Sequence, residues 1–191
     1  CASQQSAKSG SYMLTLAILR HAKSDWDAPA DDDFDRPLNS RGLKAAPQAG
    51  RMIADLGLKP SLILCSSAKR TRETLDLALP EMKLPPHTEI VTDDKLYLAN
   101  FITLIEVLRD TRDVHRCVLM IGHNPGLHEF AIALAGSGDS AALTAMQDAF
   151  PTAALAIMEI RRTRWRDVRS GDGRLQAFWT PKKGLAASAL Q

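Results

Sequence analysis

The sequence predicts an α/β protein: a three-layer α/β/α sandwich around a mostly parallel central sheet, with an antiparallel edge strand. Three observations predict it. Continuous apolar runs at 14–19, 61–65 and 117–121 have the length of strands buried on both faces. Segments of helical character lie between them, which favours parallel pairing through crossovers. The last third leaves this alternation, so at least one edge strand is expected to run antiparallel.

Each element follows from local signals. After the first strand, residues 24–38 carry Asp25, Asp27, Asp31, Asp32, Asp33 and Asp35 with two prolines, and read as a surface loop. Asn39 or Ser40 caps a helix that runs to about Leu56 and stops at Gly57. Pro47 predicts a separate or kinked first turn. The second strand covers 61–65, and a helix spans about 69–79, ending before Pro80. Pro80, Pro85 and Pro86 mark a loop, and 89–92 read as a short strand. Residues 100–111 are helical, with Leu104, Ile105 and Leu108 on the apolar face. The run 117–121 is the most apolar and is placed centrally. Pro125 suits the first turn of a helix to about Ala135, broken by Gly136-Ser-Gly138. A further strand is expected at 153–158, and late edge strands from Trp165 to Trp179 around Gly171-Asp-Gly173.

The 191 residues are 45% hydrophobic, enough for one domain with a substantial core. Against 24 Lys and Arg stand 22 Asp and Glu, so bulk attraction to nucleic acid is weak and no nucleic-acid partner is expected. Arg161, Arg162, Arg164, Arg166 and Arg169 cluster, either as a solvated face or as a docking patch for an acidic partner. Cys1, Cys65 and Cys117 lack metal-ligand spacing. Cys65 and Cys117 lie in apolar strands as small packing residues, and a reducing cytoplasm fits best. No run spans a membrane. Residues 1–12 read as a disordered leader, or as residues foreign to the native chain, with Met13 as the natural start; a lipidated Cys1 is the alternative. Residues 13–185 form the domain and 186–191 a flexible tail.

The chemistry concentrates at strand ends. The first strand runs into Arg20-His21 and the central one into Gly122-His123, while Arg70 follows the second. A parallel sheet collects such ends at its carboxyl edge, where ligands sit. Two imidazoles and two guanidiniums at one rim suit a dianionic phosphate. Imidazole is a good nucleophile near neutral pH. His21 needs one nitrogen free and the other donating to a backbone carbonyl. Transferring a phosphoryl group spreads charge over its equatorial oxygens, which Arg20 and Arg70 would stabilise. Gly122 permits a tight turn after the strand. His123 then lies near a helix start, where a protonated ring can donate to a phosphate oxygen.

Four blocks in order carry a resemblance: Leu16-Ala-Ile-Leu-Arg20-His-Ala-Lys-Ser24, Arg36-Pro-Leu-Asn-Ser-Arg-Gly42, Ser66-Ser-Ala-Lys-Arg70-Thr-Arg-Glu-Thr74 and Gly122-His-Asn-Pro-Gly126. The chain resembles the histidine phosphatase superfamily, and within it the SixA-like phosphohistidine phosphatase branch, over roughly residues 13–185. The resemblance implies that His21 accepts the phosphoryl group covalently. Arg20, Arg70 and His123 complete the phosphate pocket, with no metal or other cofactor. Asn39, Arg41 and Gly42 fall in a block characteristic of the branch. Ala22 replaces the glycine common in phosphoglycerate mutases, and Ser67 a frequent proline.

The proton donor is less evident. Relatives acting on esters often use a loop carboxylate, but Leu98-Ala99-Asn100 follow Tyr97 here. Asp25 and Asp27 are the candidates from the first loop, and Glu106 faces solvent. Because imidazole leaves more easily than an alkoxide, a missing acid favours a P–N substrate. Trp26, Phe34, Tyr97 and Phe101 either frame the entrance or pack within their own loops. Lys23 either adds charge to the rim or faces solvent. His87, His115 and His128 are assigned no role. The leading expectation is a monomeric cytoplasmic phosphatase acting on phosphohistidine in a protein, such as a phosphotransfer domain or phosphocarrier. Its pocket would take phosphate or sulfate. The alternatives are a phosphatase of a small phosphorylated metabolite and a phosphate-dependent binding protein without turnover.

Overall fold

The computed structural model describes residues 13–29 and 32–186. The expected leader, with Cys1, and residues 187–191 of the expected tail lie outside the described residues; Ala186 closes the last strand. The elements in chain order are β1 (Leu14–Arg20), α1 (Ser40–Asp55), β2 (Leu62–Ser66), α2 (Lys69–Ala78), β3 (Glu89–Asp93), α3 (Phe101–Arg109), β4 (Cys117–Gly122), α4 (Gly126–Leu134), β5 (Ala135–Gly138), α5 (Ser140–Asp148), β6 (Leu155–Ile160), β7 (Gly173–Thr180) and β8 (Gly184–Ala186).

One sheet carries the order β3-β2-β4-β1-β6-β7-β5, with β8 added to β7. The pairs from β3 to β1 are parallel. β6 runs antiparallel between β1 and β7, and β8 is an antiparallel strand at the margin. The three-layer sandwich is therefore as the alternation predicts. Strand alternation builds its two cores. Leu14, Leu16 and Ile18 of β1, with Val118 and Met120 of β4, face a core shared with α3, α4 and α5. Ala17 and Leu19, with Leu119 and Ile121, face the core under α1 and α2. Both faces are covered, which is why these strands are continuously apolar. β1 and β4 pair in register from Thr15↔Cys117 to Arg20↔Gly122. His21 and His123 thus leave adjacent strands at the same level.

Several expectations need correction. α1 is one continuous helix through Pro47. Its N-cap is Asn39, whose side chain accepts from the amides of Arg41 and Gly42, a cap worth about 1 kcal/mol. Gly122 is an extended strand residue rather than a turn. Its carbonyl accepts from the His21 amide, and it is absent from the residues with positive φ. Residues 135–138 pair with β7, and the alanine-rich α5 that follows was not expected. The stretch from Trp165 begins with a 3-10 turn over Trp165–Asp167, not with a strand. Trp165 is fully buried, its indole donating to the His115 carbonyl.

Candidate active site

The four basic side chains singled out from the strand ends converge. The His21 and His123 rings lie 5.1 Å apart between centroids. Arg20 and Arg70 each act electrostatically on both imidazoles and on one another. All this sits at the carboxyl edge of the β1, β2 and β4 strands.

His21 is buried at the end of β1, with Nδ1 2.7 Å from the carbonyl of Ala22. That oxygen only accepts, so Nδ1 carries the hydrogen and Nε2 keeps its lone pair. The carbonyl that the sequence left unidentified is therefore that of Ala22. Its peptide is held in turn: the Ala22 amide donates to Thr74 Oγ1 at 2.9 Å, and the Thr74 hydroxyl donates to the Arg70 carbonyl at 2.6 Å. One threonine of α2 thereby ties the loop of His21 to the helix of Arg70. On the other side, the His21 carbonyl accepts from the Ala153 amide.

Arg20 donates from Nη1 to the Phe150 carbonyl at 2.9 Å, and Asn124 Nδ2 donates to the same oxygen. Arg70, in the first turn of α2, is 2% exposed. Its Nη1 donates to the carbonyl of Asp33 at 2.5 Å and its Nη2 to the carboxylate of Asp33 at 2.9 Å. His123 Nε2 lies 2.8 Å from Ser66 Oγ. What these anchors leave is informative. Nε of Arg20, Nε of Arg70 and Nδ1 of His123 are buried without a hydrogen-bond partner. Buried donors of this kind are costly unless a ligand or water satisfies them.

The electrostatics keep both imidazoles neutral. Burial pushes His21 well below the ordinary histidine value. The Ala22 carbonyl opposes this, while His123, Arg70 and Arg20 add to it. His123 is pushed down to about 3, by burial first and then by Arg70; Asp33 opposes. The expectation of a protonated His123 is thus revised for the unliganded pocket. In the tautomer in which Ser66 Oγ–H donates to Nε2, a neutral ring still donates through Nδ1–H.

The first loop contributes a carboxylate that sequence reading did not select. Asp33 accepts from Arg70, from Arg36 Nη1 at 3.0 Å and from the Tyr97 hydroxyl at 2.8 Å. Burial raises its pKa, but Tyr97, Arg70 and Arg36 outweigh burial and hold it below the usual carboxylate value. Arg36 also stacks on Trp26, its guanidinium carbon 3.4 Å from the ring centroid. The structure does not bring Asp25 or Asp27 to Arg70. Asp25 Oδ1 accepts from the Asp27 amide, and Asp27 is exposed. Tyr97 packs edge-on against His123 and Phe34, whereas Phe101 packs against Phe130 in the core. Tyr97, Phe34 and Trp26 therefore belong to the rim and Phe101 does not.

The remaining motif residues act through backbone. Glu73 accepts from the Leu38 amide and Thr71 donates to the Ser66 carbonyl. Ser67 donates to Asp94. Gly42 packs so closely that a Cβ there would stand 2.2 Å from the Lys23 carbonyl oxygen. Cys65 and Cys117 are free thiols whose pKa burial pushes up to about 12 and about 11. Among the described residues no His, Cys, Asp and Glu side chains group as a metal site requires. No helix among them is long and apolar enough to cross a membrane.

A family model described as the histidine phosphatase superfamily (branch 1) matches residues 16–97. An uncharacterized protein of Mycobacterium tuberculosis is 34% identical over 171 residues, covering 86% of this chain and 100% of the relative. The solved structure of an Agrobacterium tumefaciens protein, proposed to be phosphohistidine phosphatase SixA, aligns with a TM-score of 0.72 at 31% identity. That alignment covers 88% of this chain and 98% of the other. The protein histidine phosphatase SixA in complex with tungstate aligns at 0.69, over 88% and 97% of the two chains, with 19% identity, a likeness of fold. The chain belongs to the histidine phosphatase superfamily, in its SixA-like branch.

Proposed function

We propose that this protein is a phosphatase that hydrolyses phosphohistidine in other proteins through a phosphohistidine intermediate on His21. The observation that carries this reading is the state of His21: a neutral, buried imidazole with Nδ1 held by Ala22 and Nε2 free, among three buried donors without partners. In the first step Nε2 attacks phosphorus. The bond from phosphorus to the substrate's imidazole nitrogen breaks, and its electron pair stays on that nitrogen, which takes a proton from solvent. In the second step water attacks phosphorus, the P–Nε2 bond breaks, its electron pair returns to His21, and the water's proton leaves with inorganic phosphate or to solvent. Arg20 Nε–H, Arg70 Nε–H and His123 Nδ1–H are suited to bind the phosphoryl oxygens and stabilise charge in both steps.

The choice of a P–N substrate rests on the proton inventory. Asp33, the loop carboxylate in contact with Arg70, is held ionised by its partners and is a poor acid near neutral pH. Asp25 and Asp27 remain candidate donors only if the loop brings them inward, and their recorded contacts do not. An imidazole leaving group needs the least help. The Agrobacterium tumefaciens relative, itself proposed to be phosphohistidine phosphatase SixA, supports the same choice.

The test compares turnover of a histidine-phosphorylated protein with that of an alkyl phosphate, with chelator present and His21→Ala as control. Preference for phosphohistidine, with no turnover by the variant, is expected. Preference for the ester would move the substrate to a small phosphorylated metabolite. Wild-type turnover by the variant would overturn the covalent route, and binding without turnover of either would favour a phosphate-dependent binding protein.

A further inference from the structure

The chain has two basic surfaces, and they differ in how they are neutralised. The arginine-rich segment encloses a cavity of about 540 Å³ with Met13. It lies at the start of β1, about 20 Å from the end that carries His21. Two of its five arginines are paired with carboxylates of the same segment. Arg162 makes a two-pronged pair with Asp172, Arg164 pairs with Asp167, and Arg161 donates to Ser137. The segment is thus partly neutralised by its own carboxylates.

The second lies beside the active site. Two adjoining depressions of about 270 and 280 Å³ share Pro151, Thr180 and Lys182. Their floor is apolar, with Ala145, Ala149 and the buried Phe178 in one and Ala45 in the other. Their charged members are Lys23, Arg41, Lys182 and Lys183, and no carboxylate lines either depression. None of these four side chains makes an ion pair with a described residue, in contrast to the arginine segment. The groove adjoins the catalytic groups through the chain: Lys23 is two residues beyond His21, and Pro151 follows Phe150, whose carbonyl holds Arg20 and Asn124. Unpaired cations of one sign around an apolar floor are complementary to a segment with acidic side chains flanking an apolar one.

We infer that this groove is the docking face for the phosphorylated protein, which lays an acidic, amphipathic segment between Lys23, Arg41, Lys182 and Lys183 while its phosphoryl group reaches His21. The inference rests on the proposed function, since it names the partner surface for that same site. It also reassigns the docking patch from the arginine cluster to the lysines at the opposite end of the sheet.

The test uses two synthetic helical peptides phosphorylated on one histidine, one with glutamate and one with glutamine at the flanking positions. Wild-type KM is expected to be about tenfold or more lower for the glutamate peptide at low salt, with the advantage lost in 0.5 M salt. Lys182→Glu/Lys183→Glu with Arg41→Glu is expected to abolish the advantage while leaving turnover of phosphoramidate, which needs no docking, unchanged. Equal KM for the two peptides, or an advantage that survives charge reversal, would overturn the inference. Binding of the unphosphorylated fluorescent peptides to the His21→Ala protein, read by anisotropy, tests docking independently of turnover. Failure of every phosphohistidine substrate alongside glutamate-selective binding would sink the proposed chemistry but keep the docking face. A charge-reversal variant whose oligomeric state changes in sedimentation would make the groove a self-interface and overturn the inference.

Discussion

Ser66 Oγ stands 2.8 Å from Nε2 of His123, and this one contact decides which imidazole nitrogen is offered to a ligand. Ser66 Oγ also accepts the Ala68 amide at 3.4 Å; with its one proton directed to Nε2, Nδ1 of the neutral ring carries the hydrogen, and Nδ1 is the ring nitrogen without a protein partner. Ser66→Ala is expected to free the ring to adopt either tautomer. kcat/KM should fall about 10- to 100-fold, less than the ~10²–10³ of losing a transition-state donor outright. Steady-state kinetics check it, with an unchanged circular dichroism spectrum as the control for folding.

The pH dependence follows from the two depressed imidazoles. His21 below its ordinary value stays unprotonated into mildly acidic solution, so under the proposed route the acid limb of kcat/KM attributable to His21 is expected below pH 6.5. Stability moves the same way. Below about 6.5 the unfolded chain binds protons at both histidines while the folded one does not, so unfolding is favoured as pH falls toward the folded values. Asp33 acts in the same direction at lower pH, below the ordinary value of 3.8, where a depressed carboxylate's contribution is lost. Denaturant titrations at pH 7.5 and pH 5 should show lower stability at pH 5, and replacing either histidine with a neutral isostere should reduce the difference.

Asp33 holds the outer edge of Arg70 and leaves Nε unpartnered on the other. Under the proposed function, that geometry suits Asp33 to position Arg70 for the phosphoryl group rather than to donate a proton. Asp33→Ala is expected to raise KM and to weaken vanadate inhibition about tenfold or more. Asp33→Asn, which still accepts from the guanidinium, should recover most of the loss. Tighter vanadate binding in Asp33→Ala would mean that the carboxylate competes with the anion instead.

Gly42 and Gly126 test the packing that carries the site. A Cβ at Gly42 would meet the Lys23 carbonyl oxygen at 2.2 Å, and one at Gly126 would meet that of Ala99 at 1.9 Å. Both obstacles are backbone, so neither yields cheaply. Each alanine variant is expected to destabilise by about 1–3 kcal/mol or more. Thermal unfolding should register this as a drop of about 2–4 °C per kcal/mol.

The sequence by itself determined the sandwich, the two-faced strands and the four basic groups. Continuous apolar runs can only be buried on both sides, and polar residues that follow such runs must emerge at one sheet edge. His21, Arg20, Arg70 and His123 were therefore legible from strand ends and motif spacing. Tertiary structure alone decided how they are aimed. Ser66 meets His123 across 57 positions, Asp33 meets Arg70 across 37, and Phe150 meets Arg20 across 130. No local pattern encodes such pairings. Asp33 is one of six aspartates in its loop and differs from Asp25 and Asp27 only in the arginines it reaches. The same holds for charge: the arginine cluster stands out in the sequence, yet folding neutralises part of it with Asp167 and Asp172. Lys23, Arg41, Lys182 and Lys183, scattered along the chain, become one surface only when the turn between β7 and β8 and the start of α1 come together beyond the end of β1.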